Sequence, residues 1–212
     1  MEVLNNYQRQ KLDESNDELF YSDPKFVYHL DGNFRTYLSS IYKNEIKDNS
    51  TVVDLMSSWD SYLPSEKKFK KVIGHGLNKE ELEKNKNLTS FWTQNLNFNQ
   101  DIPLDSESID FCLMVAAWQY LQYPENLTKE IARILSKRGK IIVSFSNRAF
   151  WHKAPNIWTS STEEERLKYV RKVLISNGFK EPRIIKKFNE QSFNFLPFLK
   201  NDPFYCLIAT KE

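Results

Sequence analysis

Apolar and polar residues follow two periods along this chain, and the switches between them mark its elements. Residues 1–16 are polar and mixed in charge, which predicts a fraying or surface segment. Phe26 to Leu30 is followed by Asp31-Gly32, a turn signal. Over residues 36–46, Tyr37, Leu38, Ile41, Tyr42 and Ile46 recur near helical spacing, which predicts a short helix. Short runs rich in β-branched residues then predict strands at 51–55, 70–74, 91–96, 109–115 and 140–146. Between them, Asn78 reads as the cap of a helix with Glu81 three residues on. A second helix is expected over 126–135, stopped by Arg138-Gly139. A third starts at Thr162 with a capping box to Glu165 and closes at Asn177-Gly178.

Strands alternating with helices predict an α/β domain with a mostly parallel sheet. The strands read as continuous apolar runs, as parallel strands buried on both faces should. The end of the chain departs from this pattern. Strands at 183–187 and 204–210 have no helical pattern between them in 188–202, which predicts an antiparallel ending.

Composition narrows the class. A chain of 212 residues suits one domain, able to bury roughly 70% of its unfolded surface without a disulfide or metal staple. Fifteen Phe, ten Tyr and five Trp exclude a disordered chain. The net charge of +2 gives no basis for a nucleic-acid surface; the Lys67–Lys71 and Lys186-Lys187 runs read as solvated edges. Cys112 and Cys206 lie in apolar runs and read as core residues. Three scattered His predict no metal site. With no signal-peptide core and no run near the ~20 apolar residues of a membrane span, a soluble cytoplasmic protein is expected.

In open α/β sheets ligands bind at the carboxyl ends of the strands. The first strand ends in Asp54-Leu55-Met56-Ser57-Ser58-Trp59, the second in Gly74-His75-Gly76-Leu77-Asn78. Then come Gln94-Asn95-Leu96, Ile102-Pro103-Leu104, Ser108-Ile109-Asp110-Phe111 and the stretch from Glu130 to Lys140. In this order the chain resembles the class I S-adenosylmethionine-dependent methyltransferases of the type 11 group over about residues 49–178. Asp54 to Trp59 and Ser146-Asn147-Arg148 look like a subgroup with DLMSSW in place of the glycine-rich loop, as do Phe20 to Pro24 and His29-Leu30-Asp31.

The resemblance implies a Rossmann-like three-layer sandwich with a mostly parallel seven-stranded sheet and an antiparallel C-terminal strand. It implies one domain over residues 1–212, with 1–48 as an N-terminal helical cap. The cofactor would be S-adenosylmethionine, held by Asp54, Met56, Ser57, Ser58, Gly76, Leu77, Asn95, Leu96 and Ala116. The chain departs from the family in two places. The first loop has no glycine, although a Cβ costs room where φ is positive. The second strand ends in Gly76 where an acidic residue usually accepts the ribose hydroxyls, leaving His75 or Asn78 as substitutes. Asn95 can still accept from an adenine amino group.

On the substrate side the expected residues are Tyr21, Trp59, Trp118, Asn147 and Arg148. Trp118 has core packing as its plain alternative, and Arg148 a surface position. Arg148 suits a carboxylate or phosphate. Trp158 is expected to pack rather than to cover the site. His29 and Asp31 form the candidate base pair, although direct in-line methyl transfer draws most of its rate from proximity. The expected function is therefore methyl transfer to a small-molecule acceptor by a monomer or homodimer, without nucleic acid, membrane or metal. The alternative is a non-catalytic methyltransferase-like domain that binds another ligand or a protein at the same cleft. A nicotinamide-dependent oxidoreductase is disfavoured, because no GxGxxG follows the first strand.

Overall fold

A computed structural model describes residues 2–187 and 201–212. Seven strands form one sheet: β1 (Thr51–Asp54), β2 (Lys71–Gly76), β3 (Ser90–Thr93), β4 (Ile109–Val115), β5 (Leu135–Phe145), β6 (Arg183–Lys187) and β7 (Phe204–Thr210). Their order is β3-β2-β1-β4-β5-β7-β6. The first five pair in parallel, and β7 inserts antiparallel to both β5 and β6. The antiparallel ending expected from the sequence is present. The 188–202 connection assigned to it lies mostly outside the described residues. No helix among the described residues is long and apolar enough to cross a membrane.

Strand alternation builds a core on each face, because successive side chains point to opposite sides. Val52, Leu113 and Ile142 face α3 (Gly32–Glu45), which buries Phe34, Leu38 and Tyr42. Val53, Cys112, Met114, Ile141 and Val143 face the other way. There they meet α5 (Pro124–Ile134) and α7 (Glu163–Ile175) through Leu127, Ile131, Leu167, Val170 and Leu174. Three layers result. α4 (Lys79–Lys84) leans on β2 and β3. Short helices α1 (Asn6–Arg9), α2 (Asp17–Phe20) and α6 (Asn156–Thr159) complete the set.

Several expected boundaries move for identifiable reasons. Asp31 is a helix cap rather than a turn residue: its Oδ1 accepts from Phe34 N at 2.7 Å, so α3 starts at Gly32. β3 ends at Thr93, and β2 runs on to Gly76. β5 begins at Leu135, directly after α5, and absorbs Arg138-Gly139 as an irregularity in its register with β4. The Thr162–Glu165 capping box forms, and Gly178 leaves α7 at φ +93°. Residues 2–16 are not a fraying end. Val3 N and Leu4 N both donate to Glu125, Arg9 pairs with Glu125 at 2.9 Å, and Asn156 N donates to Gln10 O. Polar side chains thus fasten a segment whose composition alone reads as loose.

Candidate functional site

A cavity of about 380 Å³ opens at the carboxyl ends of β1, β2 and β4. That volume lies in the range of small-molecule sites. Its floor comes from the strand-end loops, and residues 17–30 pass across it.

The loop after β1 is the most tightly bonded part. Met56 takes φ +56°, a left-handed turn without glycine. Met56 N donates to His75 Nδ1 at 3.1 Å, and Ser57 N donates to His75 O at 2.6 Å. His75 Nε2, 2.8 Å from Gln94 O, must therefore carry the ring proton. Burial pushes His75 down to about 4, so the ring is neutral and serves as a brace between β1, β2 and the residue after β3. Ser57 O lies so close to Gly76 that a Cβ there would stand 2.6 Å from it. Gly76 is therefore required by the closed loop, and no acidic side chain fits at that position.

Asp54 is buried at the floor and accepts from Ser57 Oγ at 2.6 Å. Burial raises its carboxyl to about 6, against the hydroxyls of Ser57 and Ser61 that hold it down. Glu81 supplies a further carboxylate. Its backbone N–H bonds Asn78 Oδ1, as the cap spacing predicts. Its side chain does not return to the cap; it accepts from Ser58 Oγ at 2.5 Å and from Lys25 N at 2.7 Å. Asn78 spends its amide on Tyr21 O and Ser22 O. Both substitutes expected for the ribose acid, His75 and Asn78, are thus occupied by other contacts.

The structure gathers Asp54, Met56, Ser57, Ser58, Gly76, Leu77, Asn95, Leu96 and Ala116 along one cavity. Tyr21, His29 and Arg148 line it as well. Four expected residues do not. Asp31 caps α3 and exchanges hydrogen bonds with Asp202, and the carboxylate that acts on His29 is that of Glu81. Trp59 packs at a tilt against Tyr28, with ring centroids 4.5 Å apart, and donates to Val27 O. Trp118 is 1% exposed in the core, where its plain reading placed it. Asn147 is exposed and off the lining. Trp158 is buried against Phe145, as packing predicts. His29 sits exposed at the mouth; partial burial is the largest cause lowering its pKa, Glu81 opposes it, and Lys25 and Arg148 add to the lowering.

Asp17, Lys25, Glu81, Gln119 and Lys153 also line the cavity, beyond the residues expected from the sequence. Asp17 and Lys153 are far apart in sequence and read as ordinary surface charges. Signals existed for two of them: Glu81 follows the Asn78 cap, and Gln119 lies in the loop after β4 between Ala116 and Tyr120.

The donor set fits an S-adenosylmethionine-sized ligand in part. Asp54, Ser57, Asn95 and the small Ala116 offer polar and open wall, and the volume suffices. Near the end of β2, Glu81 of α4 brings a carboxylate to the lining.

Comparison with known proteins agrees with the geometry. Residues 60–143 match the model described as a methyltransferase domain. The match starts immediately after the glycine-free loop. No curated protein matches the chain. Among solved structures, an S-adenosylmethionine-dependent methyltransferase from Aquifex aeolicus superposes with a TM-score of 0.59 at 16% identity, covering 92% of this chain and 97% of that one. A putative one from Listeria monocytogenes gives 0.58 at 17% identity, covering 85% and 99%. Geranyl diphosphate C-methyltransferase from Streptomyces coelicolor A3(2), solved with Mg2+, geranyl diphosphate and S-adenosyl-L-homocysteine, gives 0.56 at 13% identity, covering 84% and 78%. The segment 60–143 is thus similar to a methyltransferase domain, within the fold of S-adenosylmethionine-dependent methyltransferases.

Proposed function

We propose that the chain transfers a methyl group from S-adenosylmethionine to a small-molecule acceptor. The observation that carries this reading is the cavity at the ends of β1, β2 and β4, with buried Asp54 at its floor, beside a segment that matches a methyltransferase domain. The cofactor, when bound, supplies a methyl group already activated on a sulfonium. The chain's own residues bind, orient and exclude water. Asp54 and Ser57 face the cofactor's amino-acid end. Gly76, Leu77 and Glu81 flank its ribose. Asn95 accepts from the adenine amino group, with Leu96 beside it. Met56 and Ser58 complete the loop, and Ala116 leaves space for the reacting centre. Tyr21, Tyr120 and Phe150 keep water out. His29, neutral at pH 7, accepts the acceptor's proton without help from Asp31. Arg148 stands at the mouth. The protein works in the cytoplasm as a monomer or homodimer, with residues 1–48 as the cap of a single domain.

A second reading is a non-catalytic domain that holds another ligand or a protein in the same cleft. It is favoured by the loop amides, since Met56 N and Ser57 N are both spent on His75. Calorimetric titration with S-adenosylmethionine and S-adenosylhomocysteine separates the two. Methyl transfer predicts micromolar binding, about −8 kcal/mol. Absence of heat with either compound would favour the second reading.

A further inference from the structure

Beside the strand-end loops the cavity has a second wall, made by α2 and the 3-10 turn Trp118–Tyr120. Its polar groups are unbalanced. Gln119 is 1% exposed and lines the cavity, yet its Oε1 has no hydrogen-bond partner. Its amide nitrogen faces Arg148 O at 3.3 Å, which fixes the orientation of the amide and leaves the oxygen free. Asp17 is 8% exposed and also lines the cavity, and its Oδ1 likewise accepts no hydrogen bond. The ammonium of Lys153 stands 3.6 Å from that oxygen.

The donors around Asp17 are already spent. Lys153 Nζ gives its protons to Ser15 O and Ser15 Oγ, both at 2.9 Å, and pairs with Asp13 at 3.1 Å. Lys11 Nζ and Asn97 Nδ2 bond the other oxygen of Asp17, at 2.8 and 3.0 Å. A buried acceptor without a donor is costly. Two of them on one cavity wall call for a ligand rich in N–H. Tyr21, Tyr120, Leu121 and Phe150 line the same region with apolar surface.

We propose that this wall is the acceptor subsite, and that it takes a primary amine on an apolar body about the size of one ring, with Asp17 Oδ1 and Gln119 Oε1 receiving its N–H groups. The word acceptor rests on the methyl-transfer reading above; the amine recognition does not. The two unpaired atoms on this wall are both acceptors, and an acid of the same shape has no N–H to give them.

The test is calorimetric titration of the full chain with three probes of one shape: 2-phenylethylamine, its trimethylammonium analogue and phenylacetate. The first is expected to bind saturably. The second keeps the charge but has no N–H, and the third has no donor; each is expected to bind at least roughly tenfold more weakly. Gln119→Leu should weaken the amine by about tenfold, and Gln119→Glu, which keeps an acceptor, should restore it. Equal binding of amine and trimethylammonium would overturn the inference, as would an unchanged affinity in folded Gln119→Leu. If the leucine variant does not fold, the wild-type ranking of the three probes decides alone. S-adenosylhomocysteine is titrated in a separate arm. Its failure to bind would remove the methyl-transfer reading and leave the amine result to be judged by itself.

Discussion

The loops after β1 and β4 leave neighbouring strands and turn by the same device. Met56 takes φ +56° and Ala116 takes φ +48°, both without glycine. They then close differently. After β1 the polar groups are satisfied within the protein: Ser57 on Asp54, Ser58 on Glu81, the backbone on His75, and Asn85 on Ser58 O and Ser61 Oγ at 2.9 Å each. After β4 the chain sinks Trp118 and Leu121 into the core and leaves Gln119 Oε1 unpaired. A loop that satisfies itself makes a rigid floor. A loop with a spare buried acceptor can read a ligand.

The contrast can be tested by breaking each loop at its own support. Trp118→Ala should cause the largest loss, about 3–5 kcal/mol of unfolding free energy, because a fully buried indole leaves a cavity in the core. Urea denaturation measures it, and a loss under 1 kcal/mol would mean the residue does not anchor the β4 loop.

Gly76→Ala comes next. Its Cβ would stand 2.6 Å from a backbone oxygen, which no rotamer change relieves. About 1–3 kcal/mol of overpacking is expected, together with weaker binding of S-adenosylhomocysteine. Unchanged stability and binding would show that the β1 loop is softer than its hydrogen bonds imply.

Acid sharpens the comparison. His75 is held near 4, below its unfolded value, so its contribution is present above about pH 6.5 and lost as pH falls toward 4. Asp54 is raised to about 6, so its contribution has the opposite sign: the folded state binds the extra proton, and stability is gained as pH falls through 6 toward 4. The two offset one another in the same window. In Asp54→Asn the His75 loss should emerge, making stability fall by about 2 kcal/mol more than in wild type between pH 6.5 and 4. Parallel curves for variant and wild type would show that Asp54 titrates normally.

The smallest effect belongs to Ala116→Gly. A left-handed turn suits glycine, so stability should rise by about 1 kcal/mol or less. Thermal unfolding reads the change, and a fall would mean the Ala116 methyl group packs more than it strains.

Much of the sheet was legible because strand pattern is local. The strands at 109–115, 183–187 and 204–210 were read with their observed limits. The Thr162–Glu165 box and the Asn78 cap were also readable, since a cap spans only three residues. Asp31 was misassigned because Asp-Gly serves a turn and a helix start equally well in sequence. The strand-end half of the site followed from the rule that ligands sit where strands end. Its other half did not follow, because Asp17 and Lys153 meet only after the N-terminal segment crosses the cavity.

By itself, then, the sequence determined the alternating α/β pattern, the apolar faces of α3, α5 and α7, and the strand ends where Asp54, Ser57, Asn95 and Ala116 stand. These are properties of short windows, set by side-chain period and local backbone preference. Only the tertiary structure decided which polar groups remain unpaired. Whether Glu81 faces a cap or a cavity, and whether Gln119 finds a partner, depends on residues tens of positions away. A buried acceptor acquires chemical meaning only when every neighbour that might have satisfied it has been placed.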